Sequence, residues 1–314
     1  MKYFSFIVLT ISFFGYSQSQ KPVVIPFLES IVKQFPNVRD ITLSPNQDEV
    51  LFSAQSYMGD ISVLLSVKKV KNEWLEPKIV SFSGVYFDLE PYFSPNGLSL
   101  YFVSNRPLDS ESKEIKDFDI WYVTRKTSID EWSQPINLGA PVNTAMDEFY
   151  PAVGDSRNIY FTLDNPELNQ KDTIYMSAYV GGTYQQPKQL NEGINSDGYE
   201  FNAFVSPDES LIIYTSYNRE GGFGSGDLYM SRKLIGGEWG ASENLGATIN
   251  SDKMDYCPFV NMSTHTLYFT SKRNSLNMVS GTSISQLKAL FKSYENGLSR
   301  LYQVNIKDLL SEQN

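Results

Sequence analysis

The chain has 314 residues, 41% of them hydrophobic and 14% aromatic, including 20 Tyr and 20 Phe. That suffices for one large domain with a sizeable core, and the aromatic content favours strands. A formal charge of −10 excludes a general binder of nucleic acid or of anionic membrane surfaces, both of which attract basic proteins.

The first segment reads as a signal peptide over residues 1–19. Lys2 precedes an apolar run from Phe4 to Phe14, and small and polar residues follow, with cleavage expected after Ser17 or Ser19. The run is too short to span a bilayer. Export to the periplasm or the medium is therefore expected, with residues 20–314 as a single domain. Cys257 is the only cysteine, so no internal disulfide is possible, and it reads as a small buried apolar residue. No cysteine stands near the cleavage site to carry a lipid anchor.

Beyond the leader the chain repeats itself. VLFSA, LYFVS, IYFTL, IIYTS and LYFTS begin at Val50, Leu100, Ile159, Ile212 and Leu267, an interval typical of solenoids and propellers. Turn-forming stretches precede most of them, as in SPNQDE at Ser44 and SPNGLS at Ser94. A further strand follows each, as in DIWYVTRK at Asp119 and DLYMSRK at Asp227. An aromatic residue then opens a fourth strand: Trp74, Trp132, Tyr184 or Trp239. Four short strands with no crossover helix make one propeller blade. The last unit lacks its fourth strand, and VVIPFL at residues 23–28 supplies a replacement, with Val23 and Pro26 placed where Trp132 and Pro135 stand. The fold class expected is therefore all-β, a five-bladed β-propeller closed by an N-terminal strand. Six blades, the alternative, would need another unit for which the chain has no room.

These repeats resemble the TolB-type, WD40-like β-propeller repeat of exported bacterial proteins. EPYFSPNG, LYFVSNR, EGGFGSGDLY and WSQPINLGAPVNT carry the resemblance, which covers nearly all of the mature chain. The first unit departs from the pattern, lacking the glycine loop and the Asn-Ser element. In that family such repeats often adjoin a peptidoglycan-binding, peptidase or other enzyme domain. No second domain is visible here, so those activities are not expected to transfer.

Gly221, Gly222, Gly224 and Gly226 raise the question of a phosphate cradle. Such a loop needs a following helix, whose amides meet the anion, and DLYMSRK is a strand. A hairpin loop is expected instead. Arg219 and Asp227 flank it, Arg106 and Asp119 flank the matching insertion, and each pair is expected to close its hairpin mouth by a charge-assisted bond.

One acid recurs at the entrance to the innermost strand. Glu148, Glu200 and Asp255 each lie five residues after Asn143, Asn195 and Asn250, and Asp88 takes the place in the second unit; Val38 takes it in the first. These four carboxylates are a candidate ring for a cation, amine or sugar at one mouth of the channel, with the three asparagines as loop support. The alternative is that each acid satisfies backbone amides in its own turn. SISQLKALFKSYENG reads as a short amphipathic helix inserted in the last blade near residues 283–295, with a Ser283–Gln286 capping box. It is expected to pack onto the propeller; a lid or docking helix is the alternative.

His265 is the only histidine, in a turn on the opposite face, which excludes a Ser-His-Asp triad and a multi-histidine metal site. No cofactor is expected. The absence of a catalytic constellation favours a non-enzymatic binding or scaffold module for a protein, peptide or glycan, acting as a monomer. The alternative is a carbohydrate-active hydrolase or lyase using carboxylates at the axis.

Overall fold

The computed structural model describes residues 22–109, 111–112, 114–165, 172–196 and 198–311; the expected signal peptide lies outside them. The chain forms five antiparallel sheets arranged as the blades of a propeller. Their inner strands are Asn37–Leu43, Asp88–Phe93, Asp147–Val153, Tyr199–Val205 and Asp255–Asn261, in blades one to five. The second strands are Glu49–Gln55, Ser99–Ser104, Ile159–Asp164, Leu211–Tyr217 and Thr266–Ser271. Each of these contains the recurring apolar segment read from the sequence.

The turn between first and second strands is built alike in every blade. Its fourth residue is left-handed: Gln47, Gly97, Arg157, Glu209 and His265 have φ of 61°, 69°, 68°, 57° and 54°. Only glycine takes that conformation freely, so the other four turns carry a small strain. In two of them, and in the glycine turn, a serine hydroxyl accepts the amide that opens the second strand, of Glu49, Leu211 and Ser99, at 3.0 Å.

The ring closes through the N-terminal strand Ile25–Pro26, which pairs with Arg300–Asn305 and completes blade five. The register is two residues from the one expected. Ile25 lies opposite Gln303 as Ile136 lies opposite Tyr122, so Pro26 corresponds to Asn137 rather than to Pro135. The shift is even, so it preserves the faces. It also buries Phe27 between blades five and one, edge-on to Trp74 and Tyr268 at 6.2 and 4.8 Å. Trp239 of blade four likewise packs edge-on to Tyr160 of blade three. The outer aromatic residues thus fill the seams between blades.

The inserted helix spans Ile284–Phe291, and its capping box forms as the sequence implies. It is not packed down, however: Ile284 and Phe291 remain 68% and 63% exposed. The insertion is anchored beyond the helix, where buried Tyr294 donates its hydroxyl to the Leu301 carbonyl at 2.5 Å. Among the described residues no helix is long and apolar enough to cross a membrane.

Candidate active site

The four repeated carboxylates are buried, and each is closed by its own surroundings. Glu148 accepts the amide and hydroxyl of Thr144 at 3.1 and 2.5 Å. Glu200 does the same with Ser196 and takes the Ser216 hydroxyl at 3.0 Å. Asp255 takes the Ser251 amide and hydroxyl and an ion pair with Arg273 at 3.3 Å. Asp88 pairs with Arg106 at 2.6 Å and accepts from Ser83. Glu148, Glu200 and Asp255 thus each take a turn amide and a hydroxyl, and Asp88 takes an arginine and a hydroxyl. Among the described residues no three His, Cys, Asp or Glu side chains assemble as metal ligands would. Burial pushes Glu148 up to about 8 against the opposing Thr144 bonds, and raises Asp255 against the opposing Arg273 charge.

The asparagines do support the loops, by standing in for a strand. Asn143 accepts from the Ile120 amide and donates to the Ile120 carbonyl, at 3.0 and 2.9 Å. Asn195 and Asn250 make the same two-way bond to Ile174 and Leu228. A side-chain amide carries a donor and an acceptor spaced much as a backbone peptide does, so it can occupy a missing ladder position.

Neither expected arginine pair forms. Arg106 reaches back across its blade to Asp88, while Asp119 pairs with Lys116 at 2.6 Å and accepts from Asn137. Arg219 donates to the Tyr214 hydroxyl and lies over the Tyr229 ring. Asp227 folds into the glycine loop, taking the amides of Phe223 and Gly224 at 2.6 and 3.1 Å. The loop does cradle an anion, then, but the anion belongs to the chain. Glycine is required at 224, where a Cβ would sit 1.7 Å from the Lys253 carbonyl oxygen.

A different set of side chains meets on the axis. Each inner strand carries one bulge, with register shifts at Arg39/Thr42, Leu89/Tyr92, Phe149/Ala152, Phe201/Phe204 and Tyr256/Phe259. In each bulge one non-glycine residue is left-handed: Asp40, Glu90, Tyr150, Asn202 and Cys257, with φ of 60°, 56°, 49°, 53° and 53°. Such conformations cost about 1–3 kcal/mol apiece and gather where function needs them.

The bulges of four blades aim Asp40, Glu90, Asn202 and Cys257 into one network with Arg39, while the Tyr150 hydroxyl of the remaining blade donates to the Pro258 carbonyl at 2.9 Å. Arg39 donates to Asp40 at 2.6 Å and to Glu90 at 2.9 Å. Asn202 donates to Glu90, and the Cys257 thiol donates to Asp40 at 2.8 Å. Cys257 is therefore buried as expected, but as a polar partner rather than an apolar filler. The Oδ2 atom of Asp40 is buried without a hydrogen-bond partner.

Glu90 also completes the backbone. In three blades a second-strand hydroxyl, of Ser53, Thr162 or Thr270, accepts the bulge amide of the next blade. Blade two has Val103 at that position, and Glu90 Oε2 accepts the Tyr150 amide instead, at 2.7 Å. Burial, and then the Asp40 charge, push the Glu90 carboxyl up to about 8, against Arg39, the Tyr150 amide and Asn202. Burial thus favours the protonated form of this carboxyl.

Tyr92, Phe204 and Phe259 lie edge-to-face below this cluster and close the channel toward the turns. Above it, Arg39 keeps 21% of its side chain exposed beside Tyr256 and the half-buried Phe149 and Phe201. Phe87, Phe118 and Phe149 extend that rim as an aromatic run, with centroids 5.6 and 5.3 Å apart. His265 stays in its turn on the other face, its carbonyl accepting the Ile306 amide.

No protein-family model matches the chain, and no curated protein matches it. Solved structures do. The catalytic domain of a Coprinopsis cinerea GH62 α-L-arabinofuranosidase superposes with a TM-score of 0.53 at 11% identity, covering 87% of this chain and 91% of that one. A protein described as a glycoside hydrolase gives 0.53 at 8% identity, covering 85% and 86%. A GH62 hydrolase solved with xylotriose gives 0.50 at 11% identity, covering 90% and 94%. At these identities the likeness shows the fold, a five-bladed propeller. The expectation of a non-enzymatic binding or scaffold module is corrected by these neighbours, each of which is described as a hydrolase or glycosidase.

Proposed function

We propose that this protein is a carbohydrate-active hydrolase whose chemistry sits at the propeller axis on Glu90 and Asp40. The observation that carries the reading is the pair of buried carboxylates, from different blades, sharing one guanidinium at 2.6 and 2.9 Å. Glycoside hydrolysis needs two such acids in unlike states. Glu90, raised to about 8, supplies the proton that the departing sugar oxygen takes. Asp40, whose Oδ2 is buried with no hydrogen-bond partner, attacks the anomeric carbon or takes the proton of an attacking water. Arg39 holds both carboxylates and keeps 21% of its side chain exposed toward the mouth. The aromatic rim offers ring faces for stacking.

The finer assignments belong to the same reading. The repeats are those of the TolB-type family, residues 1–19 are a signal peptide, residues 20–314 are one domain, and the protein works in the periplasm or outside the cell. A glycan is the partner that fits the axial site.

The mature protein, incubated with arabinofuranosyl- and xylan-type oligosaccharides, is expected to release reducing sugar. Glu90→Gln is expected to abolish release while keeping the native circular dichroism spectrum. Silence of the wild type across the panel, or undiminished release by Glu90→Gln, rejects the reading.

A further inference from the structure

The seams between blades are filled by an outer aromatic residue, and one seam is underfilled. Trp74 and Trp239 close theirs, and Trp132 packs with the apolar cluster between blades one and two. The seam between blades two and three has the smaller Tyr184. A cleft of about 380 Å³ opens there, and it shares Ser99, Tyr101 and Arg157 with a second lobe of about 430 Å³. Cavities of this size hold small ligands. The cleft faces the turns between first and second strands, away from the axial mouth.

Its lining is specific. Tyr101, Tyr122, Tyr179 and Tyr184 all border the first lobe. The Arg157 guanidinium lies 4.0 Å from the centre of the Tyr179 ring. It is held there by a left-handed backbone, φ 68°, and makes no ion pair among the described residues. The Tyr184 hydroxyl is buried beside the hydroxyl of Tyr101, its neighbour in the cleft. The first lobe holds one cation and no acid, although the chain as a whole carries −10; Asp155 borders only the second lobe.

We infer that this seam cleft is a second sugar site, separate from the axis, which takes a uronate residue of an acidic glycan. Arg157 binds the carboxylate through its planar fork, which matches a carboxylate in two parallel bonds. Tyr179 backs the guanidinium and keeps it oriented, and the other tyrosine rings cover the sugar face. The choice of a sugar rests on the glycan reading above; the demand for an anion rests on Arg157 alone.

Titration of trigalacturonate and of neutral xylotriose into the mature Glu90→Gln protein, followed by calorimetry and by arginine side-chain NMR, tests the inference without turnover. Trigalacturonate is expected to bind and to shift the Arg157 resonance, with xylotriose at least tenfold weaker at this site. Arg157→Gln, at an exposed position, is expected to lose that binding tenfold or more, and Arg157→Lys to recover only part of it. Equal affinity for both sugars, binding unchanged in Arg157→Gln, or equal displacement by inorganic phosphate each overturns the proposal, the last marking a general anion site. Hydrolysis in wild type and in Arg157→Gln is read separately. A protein that binds trigalacturonate through Arg157 but cleaves nothing fails the axial reading alone, and one that cleaves but does not bind fails this one alone.

Discussion

Two rings of polar residues run through this propeller, and they obey opposite rules. At the entrance to the inner strands the acid recurs as Asp88, Glu148, Glu200 and Asp255, each satisfied within its own blade. Two residues further on, the backbone recurs but the side chains differ: Asp40, Glu90, Tyr150, Asn202 and Cys257. Repetition serves what every blade needs, namely paying off turn amides. Divergence on a repeated backbone serves what only the assembled ring can make. Left-handed bulges deliver four unlike groups to one network, and asymmetry of environment is what gives two carboxylates different protonation states.

The comparison can be broken most sharply by exchanging the rings' roles. Glu90→Gln and Asp40→Asn are each expected to lower glycan hydrolysis by about 10²–10⁴-fold, the range of a lost general acid or base. Glu200→Gln should change the turnover number less than about threefold and act on stability instead, at the scale of one lost buried hydrogen bond, about 1–3 kcal/mol. Equal kinetic loss in both rings would erase the distinction. Next in size, Asn195→Ala leaves the Ile174 backbone groups without their partner and is expected to cost about 1–3 kcal/mol in urea denaturation, with kcat preserved.

The pH profile separates the rings in another way. The folded Glu90 carboxyl, near 8, lies above its ordinary 4.5, so the folded state binds more protons than the unfolded one between those values. Stability from this group is full below about 4.5 and is lost as pH rises toward 8. Urea midpoints should therefore fall across that window, and fall less steeply in Glu90→Gln. Glu148 adds a like slope, since its carboxyl is also raised to about 8. Activity should decline above about 8 as Glu90 loses its proton. The smallest effect is expected from Val103→Thr. A hydroxyl there takes over the Tyr150 amide as Thr162 does for Asn202, which removes one bond holding Glu90 ionised. The alkaline limb of the rate profile should move upward, read as a shift in its apparent pKa with kcat on the plateau little changed.

Much of the fold was legible because a propeller writes its local rules five times. SPNQ, SPNG and SPDE mark the turns, Tyr-Phe-Thr-Ser marks the second strand, and Asn143, Asn195 and Asn250 mark a ladder position. The site was not legible by the same means. Asp40 and Glu90 share no motif with Cys257 or Asn202, and only the bulge, a backbone feature, makes them equivalent. The usable trace was negative: one column of the repeat in which every unit is polar and no two agree. The arginine partners were misjudged for a related reason. Arg106 and Asp119 face each other across a hairpin in sequence, yet the blade twist carries the guanidinium to Asp88 at 2.6 Å, which is nearer the axis. The uncovered helix Ile284–Phe291 shows the limit of periodicity, which identifies an apolar stripe without naming what it meets.

The pairing of Ile25–Pro26 with Arg300–Asn305 sets an order on the birth of this molecule. Ile25–Pro26 finds its place only after Arg300–Asn305 has been made, so four blades can mature during synthesis while the fifth waits for that strand. A break in the chain elsewhere, with the old ends joined, would lift that delay and leave the same circle of sheets.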